Sequence, residues 1–185
     1  MLARIAAFLV ILPGLAVAAP WVLDPETRIV VDVDWQGSTV EVRFPAPTGE
    51  VEFDEAHPEA ARADIRVAAR EASTGLGPVD ALVRSADYLD AQRFPQITFH
   101  LDRLVQTSKQ TAEIFGEITL RGVTRPARFD ATVIRYGPDP TDPSRFEAGF
   151  DLTGSIDRTE FGSTAGLPEV GAVLPVRIRL VMTSE

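Results

Sequence analysis

Polar and apolar side chains alternate along most of this chain with a period of two. From Ile29 to Trp35 every second residue is apolar, and Asp32 and Asp34 lie between them. Such alternation is typical of β-strands with one buried and one solvent-facing side. It predicts about eight strands among nine alternating stretches, of which 51–53 is the shortest. They lie at 29–35, 40–44, 51–53, 65–69, 97–101, 113–120, 129–133, 146–152 and 176–182.

The alternation is interrupted once, in the middle of the chain. Val79, Leu82 and Val83 follow helical spacing, and a proline precedes them at a position suited to the first turn of a helix. This pattern predicts a short helix over 78–85. A turn or helical fragment is expected to follow at 88–94.

The strands leave one continuous apolar face that an open sheet would expose. Closing the sheet into a barrel, or folding it into a sandwich, buries that face and protects the strand edges. The proline- and aspartate-rich stretch 137–144 is interpreted as a hairpin loop within a single domain. We therefore predict an all-β, antiparallel fold with one short helix between strands.

The first residues have the layout of a cleavable secretory signal. Arg4 precedes an apolar run at 5–12, and proline, glycine and small residues follow. Cleavage after Ala18 is preferred to cleavage after Ala19, because the latter would leave Pro20 directly after the cut. This gives a signal peptide at 1–18 and a β domain at 19–185. A membrane anchor is the alternative, but the run is shorter than the about 20 apolar residues that a spanning helix needs. We expect a periplasmic or secreted bacterial protein without an integral membrane anchor.

Composition narrows the classes of partner. The chain has no cysteine, which excludes thiol nucleophiles, thiolate metal sites and a lipid-modified cysteine. Its formal net charge of −9 disfavours binding to nucleic acid or to anionic membrane surfaces.

Candidate catalytic chemistry is sparse. His57 lies in an acidic loop and His100 on the outer face of a predicted strand, and neither has metal-ligand spacing to nearby acids. The chain contains no G-x-S-x-G element and no phosphate-binding glycine loop. We predict a protein that is not an enzyme, with no catalytic residues, cofactor or metal.

Aromatic residues on the apolar strand faces are the first candidate ligand contacts. In a barrel of about eight strands they either fill the interior or line a cavity for one ligand, and periodicity does not separate the two. These residues are Trp35, Phe44, Phe53, Phe99, Phe129, Phe146 and Phe150.

Three arginines in or next to predicted turns are candidates for contact with a ligand head group. Arg84, Arg125 and Arg158 could each bind an anion in bidentate fashion at a barrel opening. The alternative is that they form structural ion pairs with Asp87, Asp130 or Asp157.

Several segments together resemble the YceI-like family of exported proteins. The match runs through nearly the whole mature chain, and the combination of the segments at 93–99 and 116–126 is fairly specific. The segments are W-V-L-D-P at 21–25, L-V-R-S-A-D-Y-L-D at 82–90, R-F-P-Q-I-T-F at 93–99, G-E-I-T-L-R-G-V-T-R-P at 116–126 and D-R-T-E-F-G at 157–162.

The resemblance implies a lipocalin-like antiparallel β-barrel with a helix laid across it and no catalytic residues. It implies an interior that holds a polyisoprenoid or another long apolar lipid, with Phe161 of the last segment as a further ligand contact. The chain departs from the family pattern at 41–44 and at 163–166, where many members have a glycine and a methionine, respectively. The second departure leaves the identity of the ligand open.

Two functions follow from the sequence. The first is sequestration or transport of such a lipid by the barrel interior. The second is a solid-core periplasmic interaction module, linked to stress or to a redox membrane protein, that uses Trp21 or the 137–144 loop as its contact. Pairing of two barrels into a homodimer is left open.

Overall fold

The computed structural model describes residues 20–184, so the predicted signal peptide at 1–18 lies outside the described residues. These residues form ten strands and one α-helix. The elements are β1 (Pro20–Leu23), β2 (Arg28–Trp35), β3 (Ser38–Phe44), β4 (Thr48–Glu52), β5 (Arg62–Ala68), α1 (Gly77–Arg84), β6 (Gln96–Gln106), β7 (Thr111–Leu120), β8 (Val123–Pro138), β9 (Phe146–Asp157) and β10 (Val173–Ser184).

The strands form one antiparallel sheet that closes on itself. The hydrogen-bonded order is β1-β4-β5-β6-β7-β8-β9-β10, and β10 pairs again with β1. The last residues of β10 pair with β1 and its earlier residues with β2, so β1 and β2 share one position in the ring. β3 pairs with β2 and β4 pairs with β1, and these two strands share the next position. The predicted antiparallel barrel of about eight strands is therefore confirmed.

Two β-bulges change which residues face inward. The register shifts between Leu101 and Arg103 in β6, and between Val133 and Arg135 in β8. Each bulge adds one residue to its strand, so the inward alternation moves by one position beyond it. In β8 this shift places Tyr136 on the inner side, where its ring packs against Trp21.

The α-helix lies beside a gap in the sheet. Among the strands of residues 20–184, β3 pairs only with β2, and Arg43 of β3 also forms a β-bridge with Ser73 in the loop before the helix. The Asp80 carboxylate of α1 accepts hydrogen bonds from Ser73 Oγ at 2.8 Å and from the Thr74 backbone N–H. These bonds fix the helix across the side of the barrel that the strands leave open.

One end of the barrel is filled by an apolar cluster around Trp21. Only 6% of Trp21 is exposed, and its indole Nε1 donates a hydrogen bond of 2.8 Å to the Phe53 carbonyl oxygen. Ala148 and Met182 complete this cluster and are fully buried or nearly so. The expectation that Trp21 forms a partner contact is wrong, because the indole is buried within this cluster.

No helix among residues 20–184 is long and apolar enough to cross a membrane.

Candidate functional site

The barrel encloses a cavity of about 410 Å³. Its wall comes from inward-facing residues of the strands, such as Val31, Val42, Ile118 and Val176, and from the helix residue Leu82. Within the described part of the chain, six lining residues carry a polar side-chain group, and none of the six is acidic: Trp35, Arg62, Tyr88, Thr98, Arg158 and Ser163.

The alternation of the strands keeps the carboxylates out of this cavity. Val31 and Val33 of β2 line it, whereas the intervening Asp32 accepts hydrogen bonds from Arg177 on the outer surface. Arg177 also pairs with Glu41 at 3.0 Å, and these two carboxylates raise its pKa above the ordinary value. Ion pairs therefore tie neighbouring strands together on the outside, while the inside remains apolar.

The cavity wall reaches solvent near the helix and the β2–β3 hairpin. Trp35, at the end of β2, and Leu82, in α1, both line the cavity, yet they are 48% and 49% exposed. Fully enclosed lining residues such as Val42 and Phe129 are only 4% and 5% exposed. We place the opening of the cavity on this side.

Six of the eight predicted aromatic contacts lie on the cavity wall. They are Trp35, Phe44, Phe53, Phe99, Phe129 and Phe150. Their action on a ligand stays a prediction, although their placement matches it.

Phe146 and Phe161 do not line the cavity, so their assignment as lining residues is wrong. Phe146 begins β9 at the edge of the barrel, where it is 43% exposed and its ring packs 5.9 Å from that of Tyr136. Phe161 lies in a 3₁₀ turn and is only 2% exposed, because it packs behind the wall against Ile118 and Leu120.

Arg158 lines the cavity, but four of its five N–H donors are already used. It is 3% exposed, and its guanidinium donates four hydrogen bonds of 2.8 Å to backbone carbonyl oxygens. Burial lowers the pKa of this group from its ordinary value. Arg158 therefore organises the segment before β10 and has no free fork for a head group, and none of its hydrogen bonds is to a carboxylate. The acceptors are the carbonyls of Ser163, Ala165, Val170 and Gly171.

The other two candidate arginines lie outside the cavity. Arg84 donates from Nε to the Ala72 carbonyl oxygen at 2.7 Å and lies 3.9 Å from the Asp80 carboxylate. Arg125 is exposed and donates to the neighbouring Thr124 carbonyl oxygen. The structure does not bring the three arginines together, and the proposed ion pairs with Asp87, Asp130 or Asp157 are not the contacts that these side chains make.

Most of the wall consists of aliphatic residues, which were not among the predicted ligand contacts. The same alternation identifies those in strands, and the helical spacing of Val79, Leu82 and Val83 identifies those in α1. Tyr88 and Leu89 had no periodic signal, because they lie in turns after the helix.

The two histidines lie on the surface. The side chain of His57 is 61% exposed and lies 3.5 Å from Glu59. His100 Nδ1 lies 2.7 Å from Asp64 Oδ1, and this hydrogen bond raises the pKa of His100 above its ordinary value. Residues 20–184 contain no cluster of three or more possible metal ligands.

The cavity offers close apolar contact to a ligand and little hydrogen bonding.

An antiparallel barrel with eight strand positions around an apolar cavity defines a lipocalin-like β-barrel protein. The YceI-like domain model matches residues 21–182, and the chain belongs to that family. Relatives support this assignment. A UPF0312 protein of Pseudomonas putida strain W619 is 32% identical over 154 residues, which cover 80% of this chain and 79% of the relative. Another, of Pseudomonas fluorescens strain Pf-5, is 33% identical over 168 residues, covering 85% and 83%.

Solved structures share the fold. BcnA of Burkholderia cenocepacia superposes with a TM-score of 0.77 at 20% identity, covering 86% of this chain and 98% of BcnA. A YceI protein of Campylobacter jejuni gives 0.71 at 20% identity, covering 80% and 86%. A polyisoprenoid binding domain from Saccharophagus degradans gives 0.67 at 14% identity, covering 91% and 99%.

Proposed function

We propose that this protein binds a polyisoprenoid or a similarly long apolar lipid inside its barrel, and sequesters or carries it without chemical change. The observation that carries the proposal is the cavity of about 410 Å³ with an almost entirely apolar wall. Its volume falls in the range of about 300–1,000 Å³ that is typical of small-molecule sites. The polyisoprenoid binding domain from Saccharophagus degradans, which shares the fold, supports this class of ligand.

The energetics favour a long chain. Burial of each CH₂ group contributes about 0.8 kcal/mol, so about fifteen buried carbons contribute about 12 kcal/mol. Association costs about 4–15 kcal/mol, depending on how it is counted. A short apolar molecule would thus bind weakly, whereas a chain that fills the barrel gains enough to offset the cost.

The lining also disfavours charged and strongly polar ligands. Arg158 has four of its five N–H groups engaged by carbonyl oxygens. The side chain of Arg62 is 82% exposed and lies 3.9 Å from the Glu52 carboxylate, and the other polar lining groups are uncharged. A polar group deep inside would lose its hydrogen bonds to water without replacement, which costs roughly 2–7 kcal/mol. The head group therefore belongs at the opening, near Trp35 and Leu82.

A location outside the cytoplasm is part of the proposal, and it rests on the signal-like pattern at 1–18. In an aqueous compartment next to a membrane, such a barrel would shield a molecule that water rejects. The solid-core alternative requires packed side chains where the cavity lies, and the cavity argues against it.

The test is identification of the bound molecule. The full chain is expressed with its own leader in a bacterial host, and the exported protein is analysed by native mass spectrometry and by organic extraction. We expect a mass increment that matches an extractable long-chain lipid. An empty barrel that also fails to take up added prenols would refute the proposal.

A further inference from the structure

A second, smaller cavity of about 90 Å³ lies at the end of the barrel opposite the opening. Its apolar wall includes Leu104, Ala112, Ala131 and Val133. Its polar residues are all exposed, so this cavity also meets solvent: Glu55, Gln106, Lys109, Gln110, Thr111 and Tyr136.

Two phenylalanines separate the two cavities. Phe53 and Phe150 are the residues within 20–184 that line both of them. Their ring centroids are 5.6 Å apart and the ring planes meet at 83°, an edge-to-face pair. We call this pair the aromatic partition.

The two rings are held to different degrees. Phe150 is paired within β9 between β8 and β10, and it packs against the apolar residues on both of its sides. Phe53 follows the end of β4, outside any strand, and is half-buried, as Phe150 is. The Trp21 indole donates a hydrogen bond to the Phe53 carbonyl oxygen, and the Phe53 ring packs against the rings of Trp21 and Tyr136, with centroids 6.3 and 6.5 Å away. Displacement of the Phe53 ring would join the cavities at the expense of these ring contacts, without breaking a backbone hydrogen bond.

We infer that the aromatic partition sets the length of the apolar chain that the barrel accepts. This inference rests on the proposed function. A chain that enters at Trp35 extends along the main cavity until its end meets Phe53 and Phe150. A longer chain either leaves its excess in water at the opening or displaces Phe53 and continues towards Ala112 and Ala131.

The test uses linear all-trans prenols of increasing length, from farnesol upward, with affinities measured by tryptophan fluorescence and stoichiometry by native mass spectrometry. Trp35 lines the main cavity and serves as the reporter. For the wild type we expect affinity to rise by at least about tenfold for each fully buried isoprene unit and then to level off. Phe53→Ala should move this plateau to a longer chain and strengthen binding of the next prenol by about tenfold.

Two variants serve as controls. Phe146→Ala removes an exposed phenylalanine of the same end of the barrel that lines neither cavity, and should keep the wild-type plateau. Adding Ala112→Phe to Phe53→Ala fills the second cavity and should restore the wild-type plateau. Phe53→Leu gives the same comparison with a smaller loss of volume if Phe53→Ala does not fold.

The outcomes are distinct. Binding of prenols with the same plateau in the wild type, Phe53→Ala and Phe53→Leu overturns the inference and leaves the proposed function intact. Binding of no prenol by any of these proteins overturns the proposed function and the inference with it.

Discussion

Replacement of Arg158 by lysine tests whether this buried side chain organises residues 163–171. This segment lies at the barrel opening, because Val170 forms a β-bridge with Trp35. The guanidinium spans four carbonyl oxygens, each at 2.8 Å, from Ser163, Ala165, Val170 and Gly171. A lysine ammonium at the end of a flexible stem can reach one or two of them, because it lacks the planar fork. Two or three carbonyls are then left without their donor.

The expected loss of stability follows from this count. A buried acceptor without a partner costs about 1–3 kcal/mol, and partial access to water brings each closer to the lower value. We predict that Arg158→Lys lowers the free energy of unfolding by about 2–4 kcal/mol. The measurement is urea unfolding followed by circular dichroism, with Arg125→Lys as the control. Arg125 is exposed and donates only to its neighbour Thr124, so its replacement should change stability by less than about 0.5 kcal/mol.

Hydrogen exchange distinguishes a local from a general effect. In Arg158→Lys, amides of residues 163–171 should exchange faster, while those of β8 and β9 change only as much as global stability does. A loss below about 0.5 kcal/mol, or unchanged exchange in 163–171, would show that Arg158 does not organise the opening.

The remaining predictions concern packing, titration and the reporter. Gly116→Ala should lower the free energy of unfolding by about 2 kcal/mol in urea titrations. The new Cβ would collide with the His100 carbonyl oxygen and come within 2.5 Å of the Phe99 ring. Gly77→Ala is the control and should leave the free energy of unfolding unchanged, because its Cβ meets open space. Asp64→Asn should lower the pKa of His100 in an NMR titration, because the Asp64 carboxylate raises it. A raised folded-state pKa means that the pair's small stabilisation is complete below the ordinary histidine pKa and is lost as pH rises through the raised value, and an unchanged titration would contradict the pairing. Prenol binding should shift the emission of Trp35, and Trp35→Phe should remove most of the shift, because Trp21 is buried and does not line the cavity. An undiminished shift in Trp35→Phe would contradict the placement of the ligand at Trp35.

The barrel could be predicted from sequence because its signal repeats in every strand. Alternation placed the inward residues of β2, β3, β7 and β10 correctly, since a regular strand leaves its side chains no other choice of face. The helix predicted over 78–85 corresponds to α1, Gly77–Arg84, because its apolar residues follow helical spacing. The short strand β1 was missed because four residues carry too little periodicity to stand out.

The errors in the site arise where alternation carries no information. Phe146 has the correct parity for an inward position, but its depth along the barrel axis depends on how far β9 extends past its neighbours. Tyr136 packs inside because of the bulge between Val133 and Arg135, and no residue type in this stretch predicts that bulge. The four backbone acceptors of Arg158 come together only through the path of residues 163–171, which no local pattern of side chains specifies.

The most direct test of the central claim is obstruction of the cavity from its own wall. Val31 lines the cavity in β2, and the adjacent Val30 pairs with Arg43 and Arg177, which lie on the outer face. Val31→Trp removes room for at least two methylene groups, each worth about 0.8 kcal/mol of burial, and should weaken geranylgeraniol binding by about tenfold or more. Val30→Trp should bind as the wild type does. Equal binding by both variants, or none by the wild type, would contradict a lipid site inside the barrel.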